Sequence, residues 1–341
     1  MSDQYLYMDR ALELAVLGIG NVSPNPMVGC VVVHDNKIIG EGYHQNYGGP
    51  HAEVNAINSV FDPSVLKNST VFVTLEPCSH FGKTPPCADL LIEKGVQRVV
   101  IATEDPNPKV AGRGAKRMID AGIKVEIGLR RDEAVELNRR FFTAFEKLRP
   151  YIILKWAQTS DGFIARENYD SKWISDGYSR TIVHQWRAQE DAILVGKNTA
   201  KYDNPKLTVR GISGTDPLRI VIDPNLELSS DLYLFSDGKP TLCYNTKESR
   251  MDNSVEFVKV LKDDFLDEML MDLGKRGIRS LIVEGGLKTF DGLVNRSLWD
   301  EARVFISGKS FEKGVAAPQI LNKSYQEETL LDDKLFIYRN A

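Results

Sequence analysis

The sequence alternates between short runs rich in β-branched residues and longer segments with helical periodicity, and this alternation occurs twice. In the first half, runs such as 70–75 and 98–103 predict buried strands separated by helices. Pro150 ends the first series, and a second series follows it. Strands interleaved with helices on both sides of this break predict an α/β fold in two domains, 1–148 and 149–341.

The individual elements follow from periodicity and from turn residues. Helices are predicted at 3–20, 51–60, 88–94, 111–121, 132–148, 179–189, 264–276 and 287–298. Strands are predicted at 27–33, 38–44, 70–75, 98–103, 124–127, 151–156, 192–195, 218–222, 241–244, 280–283, 303–306 and 335–338. The segment 132–148 is predicted as one long helix.

Charge and composition limit the classes of function. The chain has 341 residues and a net charge of −4, so its overall charge does not attract it to nucleic acid. Its four cysteines are too few for a disulfide framework in a chain of this length. No apolar run is long enough to span a bilayer, and the polar first ten residues do not resemble a secretory signal. These features predict a cytoplasmic protein with no membrane or nucleic-acid partner.

Three residues with metal-ligating side chains lie at the ends of predicted elements in the first half. His51 opens a predicted helix, Cys78 follows a predicted strand, and Cys87 precedes another helix. Neutral imidazole and two thiolates are good zinc ligands, and three protein ligands leave a fourth position for water. Glu53 is the candidate to take a proton from that water and to pass it to a leaving amine. The order His-x-Glu, then Pro-Cys and a second Cys, is typical of the zinc nucleobase deaminases.

Two features of this pattern leave alternatives open. Residues two positions apart lie on different faces of a regular helix, so His51 and Glu53 share a site only if His51 lies at an irregular first turn. Eight residues separate Cys78 from Cys87, whereas the short deaminase signature has two. The cysteines could instead be buried core thiols, or His80 could complete a structural zinc site with Glu53 on the surface.

The second half carries one local signal of a ligand site. The predicted strand at 280–283 runs into Glu284-Gly285-Gly286, and a helix is predicted from Leu287. Glycines at such a turn allow a phosphate to approach the N–H groups at the helix N-terminus, although a simple turn has the same pattern. The segment lacks the GxGxxG spacing, so a Rossmann domain is not predicted.

Five short motifs stand out in the first half. They are Asn25-Pro26-Met27-Val28-Gly29, His51-Ala52-Glu53, Glu76-Pro77-Cys78-Ser79-His80, Thr84-Pro85-Pro86-Cys87, and Asp105-Pro106-Asn107-Pro108 with Val110-Ala111-Gly112. Together they resemble the bifunctional deaminase/reductase family of riboflavin biosynthesis. The resemblance implies a cytidine-deaminase-like three-layer fold for 1–148, with zinc bound by His51, Cys78 and Cys87 and with Glu53 as the proton shuttle.

The same resemblance implies the first substrate, 2,5-diamino-6-ribosylamino-4(3H)-pyrimidinone 5′-phosphate. The 2-amino group of this pyrimidine would leave as ammonia. The implied pocket residues are Asn25, His44, Lys83 and Asn107.

Matches in the second half extend the resemblance to a reductase. They are Lys155, Ser160-Asp161-Gly162, Ser171-Lys172-Trp173-Ile174, Arg187-Ala188-Gln189, Asp203-Asn204-Pro205 and Leu207-Thr208-Val209-Arg210. They imply a dihydrofolate-reductase-like fold for 149–341, which would transfer a hydride from NADPH to C1′ of the opened ribosyl group. The implied substrate-binding residues are Ser171, Arg187, Leu207, Arg210 and Glu284. The implied NADPH-binding residues are Gln158, Trp173, Thr199, Asp203, Gly286, Leu287, Lys288 and Thr289.

Some features of the second half depart from the family pattern or have no assigned role. Gln158 occupies a cofactor position where a small residue is expected, and the segment 307–314 differs from the usual family turn. Lys155 or Asp161 could assist the proton side of the reduction, and His184 is expected to be a surface or packing residue. The family resemblance also implies a homodimer or homotetramer.

Three other functions are compatible with parts of the pattern. The reductase half could be an inactive scaffold beside a working deaminase. The chain could deaminate a base within RNA, although its acidic balance disfavours this. It could also be a zinc-stabilised binding module without activity.

Overall fold

The computed structural model describes residues 3–79, 85–108, 110–172 and 174–340. The chain divides into two compact units, Met1–Leu148 and Arg149–Ala341. Each unit is described by itself below. In the described residues, every helix is too short or too polar to cross a membrane.

The first unit is built on a five-stranded sheet with the order β2-β1-β3-β4-β5. β1 is antiparallel to both of its neighbours, whereas β3, β4 and β5 are parallel. The strands are β1 (Gly29–His34), β2 (Lys37–Tyr43), β3 (Thr70–Val73), β4 (Arg98–Ile101) and β5 (Lys124–Ile127). The helices are α1 (Asp3–Val16), α2 (Ala52–Asn58), α3 (Cys87–Lys94), α4 (Arg113–Asp120), α5 (Arg131–Leu137) and α6 (Arg139–Glu146), with a 3₁₀ helix at Pro63–Asn68.

Helices cover both faces of this sheet, because successive strand residues point to opposite faces and both sets are apolar. On one face, Val71 and Val99 pack with residues of α2, α3 and α4. On the other face, Phe72 and Val100 pack with residues of α1 and α5. The unit therefore has three layers.

The structure corrects the prediction of a single helix at 132–148. The segment forms two helices, α5 and α6, which meet at Asn138. The buried Asn138 side chain accepts a hydrogen bond from the N–H of Met27 and donates one to the Met27 carbonyl, both at 2.8 Å. These two bonds satisfy the backbone of the loop before β1, which carries Asn25, and they hold Asn138 outside regular helical geometry.

The second unit contains a ten-stranded sheet with the order β11-β12-β10-β9-β8-β13-β6-β14-β17-β16. The seven strands from β12 to β14 run parallel, and antiparallel strands lie at both edges. Its strands are β6 (Tyr151–Gln158), β8 (Ala192–Gly196), β9 (Leu218–Ile222), β10 (Thr241–Asn245), β11 (Arg250–Asp252), β12 (Val255–Lys259), β13 (Ser280–Gly285), β14 (Glu301–Ser307), β16 (Tyr325–Leu330) and β17 (Asp333–Arg339). A separate pair is formed by β7 (Phe163–Ala165) and β15 (Val315–Ala316).

Five helices accompany this sheet among the described residues. They are α7 (Gly177–Gln189), α8 (Lys197–Asp203), α9 (Tyr233–Ser236), α10 (Phe265–Lys275) and α11 (Leu287–Asn295). One face of the sheet packs against α10 and α11, and the other against α7, α8 and α9. The carboxyl ends of the parallel strands β6, β8, β9 and β13 meet at one edge, where parallel α/β sheets bind ligands.

Candidate active sites

The three predicted metal ligands lie at the ends of elements in the first unit. His51 precedes α2 and has extended backbone angles (φ −72°, ψ 166°), so it is not part of the regular helix. Cys87 is the first residue of α3, and Cys78 lies in the irregular segment after β3. The N–H of Cys87 donates to Cys78 Sγ at 3.3 Å, which fixes one sulfur against the turn that carries the other.

The ligand atoms converge at distances that suit zinc. His51 Nδ1 is 3.6 Å from Cys78 Sγ and 3.3 Å from Cys87 Sγ, and the three atoms lie within 4.8 Å of one another. In a tetrahedral zinc site the N···S separation is roughly 3.6 Å, given the usual bond lengths. The donor set and its geometry therefore fit a zinc ion with three protein ligands. His80, the fourth ligand of the structural-zinc alternative, lies outside the described residues.

Glu53 lies in the first turn of α2 and is buried, with 3% of its surface exposed. Since His51 precedes the helix, the two side chains reach the same site despite their spacing, and the Glu53 carboxyl interacts with Cys87. Burial raises the pKa of Glu53, and the nearby Cys78 raises it further. A carboxyl in this position can hold and release a proton beside the metal ligands.

The turn that carries Cys78 is anchored by its neighbour Glu76. The buried Glu76 carboxylate accepts hydrogen bonds from the N–H groups of Gly112 (2.9 Å), Gly114 (2.9 Å) and Ala115 (3.1 Å) at the start of α4. A carboxylate at a helix N-terminus also interacts favourably with the helix dipole. Gly114 lies so close that a Cβ atom there would be 2.0 Å from the Pro77 carbonyl oxygen.

Two of the implied pocket residues bind each other beside the metal ligands. Asn25 Nδ2 is 3.1 Å from His44 Nε2, and His44 Nδ1 is 3.0 Å from the Pro50 carbonyl oxygen. A carbonyl only accepts, so Nδ1 carries the proton and Nε2 accepts from the Asn25 amide. The His44 ring stands edge-on to the His51 ring, with centroids 5.4 Å apart.

The other two implied pocket residues are Asn107 and Lys83. The N–H of Asn107 donates to Asp105 Oδ1 at 2.7 Å, which forms the turn after β4. Burial, together with the nearby Glu76 and Cys78, raises the pKa of Asp105 to about 6. Lys83 lies outside the described residues.

The second unit contains a cavity of about 700 Å³ at the carboxyl edge of its parallel strands. This volume lies within the range of roughly 300–1,000 Å³ that is typical of ligand pockets. Eleven of the predicted reductase residues line it. They are Ser171, Arg187, Thr199, Asp203, Leu207, Arg210, Glu284, Gly286, Leu287, Lys288 and Thr289.

A buried group of charges forms part of the wall of this cavity. Arg187 binds Glu284 through two hydrogen bonds, Nε to Oε1 (2.6 Å) and Nη2 to Oε2 (2.8 Å). Lys155 Nζ is 3.7 Å from Glu284 Oε2. Burial opposes ionisation of Glu284, but Arg187 and Lys155 together lower the pKa of the carboxyl to about 2. Burial lowers the pKa of Lys155, so this amine is both close to the site and easier to deprotonate than a surface lysine.

The Gly285-Gly286 turn packs closely against Gly196, Thr199 and Thr289 at the start of α11. A Cβ atom on Gly285 would lie 2.7 Å from Thr199 Oγ1, and a Cβ on Gly196 would lie 2.7 Å from Thr289 Oγ1. Both threonine hydroxyls therefore lie close to the backbone of glycines, where a larger residue would collide with them. Hydroxyls and free N–H groups at a helix N-terminus suit the phosphates of a dinucleotide, so these residues fit NADPH.

Two further contacts connect residues on the cavity wall. Ser171 Oγ donates to the Asp203 carboxylate at 3.1 and 3.2 Å. The N–H of Arg210 donates to His184 Nδ1 at 3.2 Å. His184 lines the cavity, although the sequence offered no signal for this.

Three residues named from the sequence lie elsewhere or cannot be placed. Gln158 is not among the residues that line the cavity, and its Oε1 accepts a hydrogen bond from Trp156 Nε1 at 2.8 Å. Trp173 lies outside the described residues. Asp161 accepts hydrogen bonds from Thr159, Ser310, Phe311 and Glu312, and these bonds hold the pKa of its carboxyl well below the usual range. Asp161 therefore fixes the 310–312 segment and is unsuited to donate a proton.

Comparisons with known proteins identify two family models in the chain. Residues 1–103 match the cytidine and deoxycytidylate deaminase zinc-binding region, and residues 150–313 match the RibD C-terminal domain. These matches confirm the fold class that the sequence predicted.

Relatives cover nearly the whole chain. The riboflavin biosynthesis protein RibD of Aquifex aeolicus is 42% identical over 94% of this chain and 91% of its own length. RibD of Escherichia coli is 40% identical over 91% of this chain and 88% of its own length. A Thermotoga maritima diaminohydroxyphosphoribosylaminopyrimidine deaminase/5-amino-6-(5-phosphoribosylamino)uracil reductase has a solved structure with a TM-score of 0.90, 38% identity and 99% coverage of both chains. Acinetobacter baumannii RibD has a TM-score of 0.90, 31% identity and coverage of 99% and 98%.

Proposed function

Because the chain belongs to the RibD family of riboflavin biosynthesis proteins, we propose roles for its residues in the two reactions that define that family. The chain is a bifunctional enzyme, a zinc-dependent deaminase and an NADPH-dependent reductase. It acts on a small molecule. The observation that carries the proposal is the convergence of His51, Cys78 and Cys87 beside the buried Glu53.

In the deaminase site, His51, Cys78 and Cys87 would hold the zinc ion. The ion would supply acidity, since zinc lowers the pKa of a coordinated water to near neutrality. Glu53, buried beside these ligands, would accept a proton and deliver it to the amine that leaves the pyrimidine as ammonia. Asn25, oriented by His44, and Asn107 contact the pyrimidine ring.

In the reductase site, two groups of residues hold the two ligands. Ser171, Arg187, Leu207, Arg210 and Glu284 bind the deaminated substrate, and Arg210 pairs with its phosphate. Thr199, Asp203 and the turn Gly286–Thr289 bind NADPH, together with Gln158 and Trp173 as the sequence predicts. Bound NADPH would supply a hydride to C1′ of the opened ribosyl group.

We assign to Lys155 the role of proton donor in the reduction. Its amine lies in the cavity wall 3.7 Å from Glu284, and burial makes its proton easier to transfer. Asp161, the other candidate, is ionised and held by four hydrogen-bonding groups outside the cavity lining.

The alternatives that the sequence left open are not favoured. An RNA deaminase does not account for the matched reductase domain, and an inactive reductase half does not account for the predicted ligand residues that line one cavity. A cytoplasmic location, the absence of nucleic-acid and membrane partners, and a homodimeric or homotetrameric state stay predictions from the sequence, as does the phosphorylated pyrimidine as the specific substrate.

An assay with a zinc chelator tests the proposal. The diamino pyrimidinone phosphate is supplied with NADPH, and ammonia release and NADPH oxidation are followed together. Chelation is expected to stop ammonia release and, with it, NADPH oxidation, whereas the deaminated intermediate added directly is still reduced. Ammonia release that persists after complete removal of zinc would contradict the proposal.

A further inference from the structure

Two tyrosines at the edge of the reductase cavity form a contact that the proposed reactions do not use. The rings of Tyr169 and Tyr202 are stacked, with centroids 4.6 Å apart and an interplanar angle of 6°. Both residues line the cavity, and both remain about half exposed. Tyr169 lies in the loop between β7 and α7, and Tyr202 lies in α8.

The backbone at Tyr169 is unfavourable for tyrosine. Tyr169 N–H donates to the Arg166 carbonyl, and Arg166 N–H donates to the Asp170 carbonyl, both at 2.9 Å. This is the pattern of a three-residue turn whose last residue adopts the left-handed conformation, a position where glycine is preferred. Tyr169 adopts it with φ 67°. A bulky side chain in this conformation is an outlier that the surrounding structure must stabilise.

Next to the tyrosines, a second contact joins the loop between β7 and α7 to helix α8. Ser171 Oγ donates to both oxygens of Asp203. Tyr169 and Ser171 belong to the loop, whereas Tyr202 and Asp203 belong to α8. The stack and the hydrogen bond therefore form two adjacent contacts between the loop and the helix, and we call these four residues the clasp.

The clasp connects the two ligand groups of the reductase. Ser171 belongs to the proposed substrate group and Asp203 to the proposed NADPH group. Because rigid rings lose little entropy on packing, a stack is an efficient way to hold a polar pair in place. We infer that Tyr169 and Tyr202 are positioning residues for the reduction, which hold the 166–172 loop against α8 so that Ser171 and Asp203 meet both ligands in a fixed geometry. This inference rests on the proposed function of the cavity.

Replacement of Tyr169 by glycine separates this role from a role in folding. Tyr169→Gly relieves the strained backbone. If Tyr169 only shaped the turn, this replacement would therefore leave stability and activity unchanged or improved. Loss of the stack is instead expected to lower kcat/KM for reduction and to weaken NADPH binding by about two- to tenfold. NADPH binding is measured by energy transfer from protein tryptophan to the bound nicotinamide, so it does not depend on turnover.

Further variants and the second activity of the chain provide the controls. Tyr202→Phe keeps the stack and should match the wild type, whereas Tyr202→Ala should resemble Tyr169→Gly. The double variant should be no worse than either single variant, because both remove one shared contact. Tyr178→Ala removes an exposed tyrosine from α7 and should have no effect. Ammonia release should be normal in every variant.

Several results would overturn the inference. They are wild-type reduction and NADPH binding by Tyr169→Gly, additive effects in the double variant, and a parallel fall in ammonia release. Failure of the proposed function would look different, since the wild-type chain itself would then not oxidise NADPH with the pyrimidine. The binding measurement on the variants would still test the clasp in that case.

Discussion

Glu53 shows how one short motif places two chemically different groups at a single site. His51 has extended backbone angles and Glu53 has helical ones, so the chain turns between them and both side chains face the cysteines. Burial keeps the Glu53 carboxyl away from bulk water, and its raised pKa allows it to hold a proton transiently. The three ligands would hold the metal ion, and Glu53 would carry the proton beside it.

Replacement of Glu53 by glutamine tests this division of roles. The amide has nearly the same shape but cannot take up a proton, so Glu53→Gln should bind zinc normally and lose ammonia release by about 10²–10⁴-fold. Reduction of the deaminated intermediate should be unaffected. Zinc content is measured by metal analysis of the purified protein, and Glu93→Gln, an exposed glutamate of α3, is the matched control. Normal ammonia release by Glu53→Gln would exclude Glu53 as the proton carrier.

Residue types and spacing were sufficient to predict the metal site, but not the charge group of the reductase. His51, Cys78 and Cys87 are recognisable because few other patterns combine these ligands with a neighbouring glutamate. Lys155, Arg187 and Glu284 meet only because β6 pairs with β13 in a particular register and α7 packs over both. Local sequence does not encode that register, so only the family resemblance pointed to Arg187 and Glu284.

At the scale of elements, prediction succeeded where burial imposes a pattern and failed where it does not. Central strands were recognised because β8 is apolar throughout and β9 is apolar except for Arg219. The strands β11 and β16 were missed because they are largely exposed at the edges of the sheet and lack apolar alternation. Helix α8, Lys-Asn-Thr-Ala-Lys-Tyr-Asp, was missed because it has no apolar periodicity, although it carries both Thr199 and Asp203.

The contact between α4 and the Cys78 turn should be necessary for the metal site. A methyl group at Gly114 would overlap the Pro77 carbonyl, so Gly114→Ala must push α4 away from the turn that Glu76 anchors. We expect a loss of about 1–3 kcal/mol in the free energy of unfolding of the first unit. Zinc affinity and ammonia release should fall, while reduction of the added intermediate persists.

A second glycine provides the comparison for this variant. Gly308→Ala introduces the same methyl group where nothing lies within 4 Å, and it should leave both activities and the unfolding transition unchanged. Zinc titration and thermal unfolding measure the two effects. Wild-type zinc affinity in Gly114→Ala would show that α4 does not support the metal site.

For the whole molecule, the main feature is that each unit has its own core on both faces of its own sheet. The described residues of the zinc site all belong to Met1–Leu148, and those that line the reductase cavity all belong to Arg149–Ala341. Each site is therefore assembled by the folding of one unit. This separation explains how a bifunctional chain can carry two unrelated chemistries, because the residues of one site do not also form the other.

A mixture of two defective variants tests this independence. Glu53→Gln should retain reduction and Arg210→Ala should retain deamination, so neither variant alone converts the diamino substrate to the reduced product at the normal rate. Since each intact site is complete within its own unit, the mixture should restore ammonia release followed by NADPH oxidation. The intermediate must then pass through solution, so NADPH oxidation should show a lag that shortens as total protein increases. If both half-reactions persist separately but the mixture oxidises no NADPH, the two activities depend on each other within one chain, and the assignment of independent sites is wrong.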